Sequence, residues 1–226
     1  PQIAELNFSF SGLKTSILYF IQNAGKSNLF QENNTTTDEE RKKFINENFP
    51  IVKYIRNEIN IGMIANWNKC IREAKGEFIH ILHDDDWVYP NFYPTLFKGF
   101  LDESVCACFC RTEIFTENSQ NKLAQELYSE KEGILANWEL DGNTKYGHHM
   151  SATIYRKSHL YKINLFDESY NYIADGLLNS KLQTVGKIYY SPEILAVYRW
   201  RDGNMSSKLY TTTKAIREIP RFIKEI

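Results

Sequence analysis

The chain has 226 residues, 42% of them hydrophobic, and a formal net charge of −1. That length supports one sizeable core, and the balanced charge excludes a nucleic-acid partner held by a general basic field. No apolar run reaches the length of a bilayer and no signal peptide opens the sequence, which predicts a cytoplasmic protein; an anchor in flanking sequence stays open.

In chain order, Ile3 to Leu6 is a short stand-in for a first strand, and Leu13, Ile17, Phe20 and Ile21 share one face of an expected helix over 13–24 that ends near Gly25. Asn33 to Thr37 is a polar loop too short to separate domains. Asp38, Glu39 and Glu40 open a helix over 38–48, where acidic side chains favour the amino end, and Phe44 and Ile45 supply its apolar contacts. Ile51 to Arg56 reads as a strand leading into Asn60-Ile61-Gly62. Ile64, Trp67, Ile71 and Ala74 recur at helical spacing, with Lys75 in the last turn and Gly76 placed to cap it.

Phe78-Ile79-His80-Ile81-Leu82 is then a buried strand, and Asp84-Asp85-Asp86 follows it at once. Three like charges at a strand end repel unless something gathers them. A hard divalent cation, Mg²⁺ or Mn²⁺, does so through oxygen ligands and keeps positions open for phosphate. In an open α/β sheet, ligands bind beyond the carboxyl ends of strands, where this turn projects.

Further on, Cys106, Cys108 and Cys110 alternate along a strand, which predicts one shared face. With only Cys70 besides, they lack the paired spacing of a zinc site, and buried reduced thiols in a reducing compartment account for them better. Residues 116–147 are polar and less regular, the segment most suited to mobility. Ser151 to Tyr155 is a strand, Leu178, Leu182 and Val185 mark a helix stopped by Gly186, and Ile194 to Tyr198 is a strand. Strands and helices alternate without an internal repeat. The expected architecture is a single α/β domain over 1–226, a mixed and mostly parallel sheet flanked by helices, with a nucleotide-binding half to about residue 100 and an acceptor-binding and catalytic half from about 101.

The stretch Asn60-Ile61-Gly62, Asn66, Ala74 to Ile79, His83-Asp84-Asp85-Asp86-Trp87 and Pro90 resembles the central signature of family 2 glycosyltransferases, which have the GT-A fold. The commonest form of that signature has aspartate where His83 stands. The resemblance implies a metal-binding D-x-D element with Asp85 as metal ligand, Asp86 in support and Asp84 near a ribose, and it places Gly62 among the nucleotide-binding residues. Ser151 to Tyr155, Arg156-Lys157-Ser158 and Phe166-Asp167-Glu168 resemble the steps before the family's catalytic acid, and Ala174-Asp175 stands where Glu-Asp is common. Asp175 is thereby a general base, although an aspartate in a first helical turn is also a good N-cap. Tyr198-Arg199-Trp200-Arg201 with Asn204 and Ser206 resembles the closing loop, which would bring Arg201 to the diphosphate. At the amino end the family pattern is weak: Glu32-Asn33-Asn34-Thr35 stands in for the acidic turn that cradles the base, where Glu32 and Asn33 could hydrogen-bond a uracil edge or form a polar surface turn.

Trp138 and Tyr146 are candidate acceptor platforms with an equally good core reading. His149 is a candidate contact to acceptor or phosphate, against a packed histidine. The function implied is a metal-dependent, inverting transfer of a sugar from a nucleotide-diphosphate sugar, with a UDP-sugar favoured, to a glycan or lipid-linked acceptor. The setting implied is surface polysaccharide synthesis, with peripheral contact at the inner face of the membrane and no nucleic acid. The alternatives are a sugar-nucleotide pyrophosphorylase, whose glycine-rich loop Phe8-Ser9-Phe10-Ser11-Gly12 does not supply, and an inactive glycan-binding domain.

Overall fold

A computed structural model describes residues 9–10, 37–48, 52–83, 85–116, 121–125, 129–135, 149–200, 218, 220 and 223–224. In chain order the strands are β1 (Ser9–Phe10), β2 (Phe78–Leu82), β3 (Trp87–Val88), β4 (Val105–Thr116), β5 (Asn121–Ala124), β6 (Gly133–Ile134), β7 (Thr153–Arg156) and β8 (Lys187–Trp200). The helices are α1 (Asp38–Asn48), α2 (Met63–Glu73), α3 (Phe92–Leu96), α4 (Lys157–Lys162) and α5 (Ala174–Gln183). The strands form one sheet ordered β1-β2-β7-β4-β8-β3, with β5 added to β4 and β6 to β8.

The sheet is mixed, but its balance corrects the expectation. Only β1–β2 and β4–β8 pair in parallel; the other pairings among the described residues are antiparallel. Residues 52–57 form no strand, so the strand expected over Ile51 to Arg56 is absent from its described part. The helices over 38–48 and 63–73 are where periodicity placed them. Thr37 caps α1 as the sequence of acidic residues invites: Glu40 N donates to Thr37 Oγ1 at 3.3 Å, while Glu40 Oε2 accepts from Thr37 N at 2.6 Å, a capping box. The strand expected over Ile3 to Leu6 and the helix expected over 13–24 lie outside the described residues.

Apolar side chains pack on both faces of the sheet. On one, Ile64, Trp67 and Ile71 of α2, Leu160 of α4 and Leu177, Leu178 and Leu182 of α5 cover Ile79, Ile81, Phe109, Tyr155 and Tyr190. On the other, Phe92 and Leu96 of α3 with Phe100 cover Val105, Cys108, Cys110, Ile154 and Leu195. The three cysteines do not share a face. Val105 pairs with Lys187 and Ala107 with Ile188, so Cys106 is the extra residue of a bulge and joins the α5 layer, whereas Cys108 and Cys110 join the α3 layer. All three are buried and reduced, and burial raises the Cys106 and Cys110 thiols to about 12. Thiols so poorly ionised are structural.

Gly76 departs from its expected role, and Gly186 keeps its place after the helix, its N–H donating to Leu182 O at 3.1 Å, while serving a second need. Helix α2 ends at Ala74, whose N–H donates to Cys70 O, so Gly76 is not its cap. Gly186 lies beyond the last turn of α5 and is needed for closeness: a Cβ there would sit 2.6 Å from Cys106 Cβ and 3.0 Å from Ser104 O. Gly62, by contrast, is the N-cap of α2 with φ +84, a left-handed conformation that favours glycine, and its N–H donates to Asn60 Oδ1 at 2.9 Å.

Candidate active site at the acidic turn

The end of β2, the start of β3, the short 3₁₀ turn Met150–Ala152 before β7 and the end of β8 converge on the acidic turn. Asp86 joins them. Its side chain has no solvent exposure; Oδ1 accepts from Arg199 N at 3.0 Å and Oδ2 from Ser151 Oγ at 2.5 Å. Ser151 also accepts from His83 N at 3.3 Å, and its carbonyl oxygen lies 3.0 Å from His80 Nε2. Burial works against an ionised Asp86, yet His83, Ser151 and the Arg199 N–H together hold its carboxyl below the usual range.

His83 lies across from Asp86, with Nδ1 3.5 Å from Oδ2, and its ring stacks on Trp67 of α2 at 5.5 Å. Burial disfavours its cationic form, but the carboxylates of Asp86, Asp85 and Asp175 outweigh that and leave its pKa raised. His83 Nε2 is shielded from solvent and has no hydrogen-bond partner among the described residues. One ligand atom each from His83, Asp85 and Asp86 lies within 4.8 Å of the others. One imidazole and two carboxylates within reach of one another are a donor set that fits a divalent cation. Asp86, whose two oxygens accept from Arg199 N and Ser151 Oγ, also faces His83 Nδ1, the arrangement in which a carboxylate orients a histidine.

Asp175 occupies the second position of α5. The N-cap is Ile173, so the capping role weighed for Asp175 does not apply. Its Oδ1 accepts from Gly176 N at 2.8 Å. Burial raises its pKa, opposed by that N–H, by its own N–H and by the charge of His83. The influence runs both ways, for Asp175 in turn favours the charged form of His83. Residues far apart in sequence, on the acidic turn and at the start of α5, thus face one another electrostatically.

His149 stacks on Tyr198 with centroids 4.4 Å apart, and burial lowers its pKa to about 4. It is a neutral hydrogen-bonding group near neutral pH, not a positive charge for a phosphate. Phe166-Asp167-Glu168 is anchored by Asn68 of α2, whose Oδ1 accepts from Phe166 N at 3.0 Å and whose Nδ2 donates to Phe166 O and Glu168 Oε1. Arg156 is structural: its guanidinium donates to Val105 O, Phe100 O and Glu77 Oε1 and stacks on Phe78. Asp84, Glu32, Asn33, Trp138, Tyr146 and Arg201 lie outside the described residues. In the sequence Ser151 entered only as the start of a strand, with no sign of its side-chain bonds, and Trp67 at helical spacing looked only like core.

The chain matches the family Glycosyl transferase family 2 over residues 32–163, more than half its length, and belongs to that family. An uncharacterized protein of Mycobacterium tuberculosis (strain CDC 1551 / Oshkosh) is 33% identical over 66 residues, which are 29% of this chain and 21% of that protein. Among solved structures, S. aureus TarS 1-349 in complex with UDP-GlcNAc superposes with a TM-score of 0.67 at 17% identity, covering 97% of this chain and 66% of that one. GalNAc-T7 with UDP, GalNAc and Mn²⁺ gives a TM-score of 0.51 at 15% identity over 73% of this chain and 35% of that one. These likenesses establish the GT-A fold. The chain spans about a fifth of the curated relative and two thirds or less of these solved chains. Among the described residues, no helix is long and apolar enough to cross a membrane.

Proposed function

We propose that this domain is a metal-dependent, inverting glycosyltransferase that moves a sugar from a UDP-sugar to the hydroxyl of a glycan or lipid-linked acceptor, in surface polysaccharide synthesis. The observation that carries the reading is the cluster at the end of β2, where one ligand atom each of His83, Asp85 and Asp86 lies within 4.8 Å of the others, in a chain that belongs to this family. Solved relatives of the same fold in complex with UDP-GlcNAc, or with UDP and Mn²⁺, support the donor class and the metal.

Inversion needs charge stabilised on one side of the sugar and a proton accepted on the other. A divalent cation, when bound, supplies positive charge to the departing diphosphate. Asp85 would hold that cation and His83 would offer it a nitrogen, while Asp86 with Ser151 fixes the turn. Asp175 accepts the proton of the attacking hydroxyl; the burial that raises its pKa strengthens it as a base. The family resemblance would assign Arg201 to the diphosphate, Asp84 to the ribose, and Glu32 and Asn33 to the uracil, and the acceptor would take Trp138, Tyr146 and His149.

Calorimetry of UDP with and without Mn²⁺ tests the metal assignment. Asp85→Ala is expected to keep the fold and to lose the Mn²⁺-dependent part of UDP affinity; full Mn²⁺ assistance in the folded variant would sink the assignment. A protein that binds glycan but consumes no sugar nucleotide would instead be a binding module.

A further inference from the structure

Glu218 is far from the acidic turn in sequence and was not singled out there, yet its carboxylate is buried against the entry to α5. Its Oε1 accepts from Asn171 N at 2.9 Å, and Oε2 accepts from Tyr172 N at 2.9 Å and Ile173 N at 3.3 Å. Three successive backbone N–H groups around one anion form a nest. The position matters because Ile173, the N-cap of α5, has no polar side chain to order the helix start. Tyr170 on one side and Ala174 on the other are buried anchors, and Glu218 fixes the three peptides between them. Asp175 is the next residue after Ala174.

We infer that Glu218 is a positioning residue for Asp175: it locks the peptide path into α5 and offsets, with its negative charge, the positive end of the helix. A helix N-terminus stabilises a carboxylate and so weakens it as a base; a second carboxylate on the nest opposes that. The inference rests on the reading of Asp175 as the base. Among the described residues, the other groups that act on Asp175 are His83 from the acidic turn, whose charge lowers its pKa, the Gly176 and Asp175 N–H groups of α5, and Tyr155 of β7, which burial keeps neutral.

Glu218→Gln places an amide NH₂ where one oxygen accepted from backbone N–H. Carboxyl-carbon NMR titration of the chain without ligand is expected to show Asp175 titrating about half a pH unit lower, with Asp85 unmoved. Amide exchange at Asn171, Tyr172 and Ile173 is expected to accelerate about tenfold, while β4 and β8 keep their protection. Unchanged exchange at the three amides, or a uniform loss of protection with no displacement of the Asp175 titration, would overturn the inference. Should the amide variant not fold, Glu218→Asp keeps the charge and shortens its reach: faster exchange at the three amides supports the contact, and native exchange overturns it. Failure of the underlying reading looks different. Normal transfer by Asp175→Asn would remove the base, and with it the role given to Glu218, while leaving the exchange result in place.

Discussion

Asp86 has no solvent exposure in its side chain, and its hydrogen bonds decide how the carboxylates divide their work. A buried carboxylate that accepts from Ser151 Oγ, Arg199 N and the His83 side is a joint between strands. Ser151→Ala removes a donor to Asp86 and an acceptor for His83 N, so it is expected to cost about 1–3 kcal/mol in denaturant titrations. It is also expected to weaken Mn²⁺-assisted UDP binding, since the turn loses its anchor. Native stability in Ser151→Ala would show that the joint is idle. Asp175→Asn keeps the side chain's shape but cannot accept a proton, so transfer is expected to fall by roughly 10²–10⁴ with UDP affinity unchanged. Near-normal transfer by this variant, measured beside its melting temperature, would move the base elsewhere.

At the scale of elements, the bulge at Cys106 and the closeness at Gly186 are one feature. The bulge turns Cys106 toward α5, where its Sγ lies 3.2 Å from Lys187 O, and the chain leaving α5 must pass beside it without a Cβ. Gly186→Ala would press a methyl against Cys106 and the Ser104 carbonyl, neither a flexible side-chain end, so a loss of about 1–3 kcal/mol is expected in urea unfolding. Unchanged stability would mean that the two segments yield easily. Gly62→Ala is expected to cost about 1–2 kcal/mol for a different reason, because φ +84 is strained for any L side chain. Its measurement is the same unfolding midpoint.

Over the whole molecule, buried histidines contribute to the dependence of stability on pH, and Asp175, whose raised pKa favours its protonated form, opposes His80 and His149 as pH falls. Burial lowers both His80 and His149 from 6.5 to about 4. Between those values the unfolded chain binds protons that the folded chain refuses, so stability falls as pH falls through that window. His83 has the opposite sign: its raised pKa contributes stability fully below 6.5 that is lost as pH rises through the folded value. Melting temperature is therefore expected to peak near 6.5 and to fall on the acid side. His80→Gln, which keeps polar atoms for Tyr93 and the Ser151 carbonyl, is expected to flatten that acid side. A melting temperature that rises steadily from pH 6.5 to 4 would contradict the burial of both rings as neutral groups.

The helices over 38–48 and 63–73, the strand over 78–82 and the acidic turn behind it were legible in the residues alone, because they depend on local periodicity and on charges adjacent in the chain. The sequence also carried the family, through motifs read together. That most strand pairs among the described residues are antiparallel emerged from the fold, since which strands neighbour one another is set by packing across the sheet, not by any strand's own residues. The same holds for the face of Cys106, which a bulge changed, and for the segment 52–57, whose apolar residues form no strand. At the site, sequence adjacency supplied Asp85 and Asp86, while Ser151, Trp67 and Glu218 entered through contacts between segments far apart in the chain. A side chain that acts by holding another residue's backbone leaves no local pattern, and only folding brings it to the groups it holds.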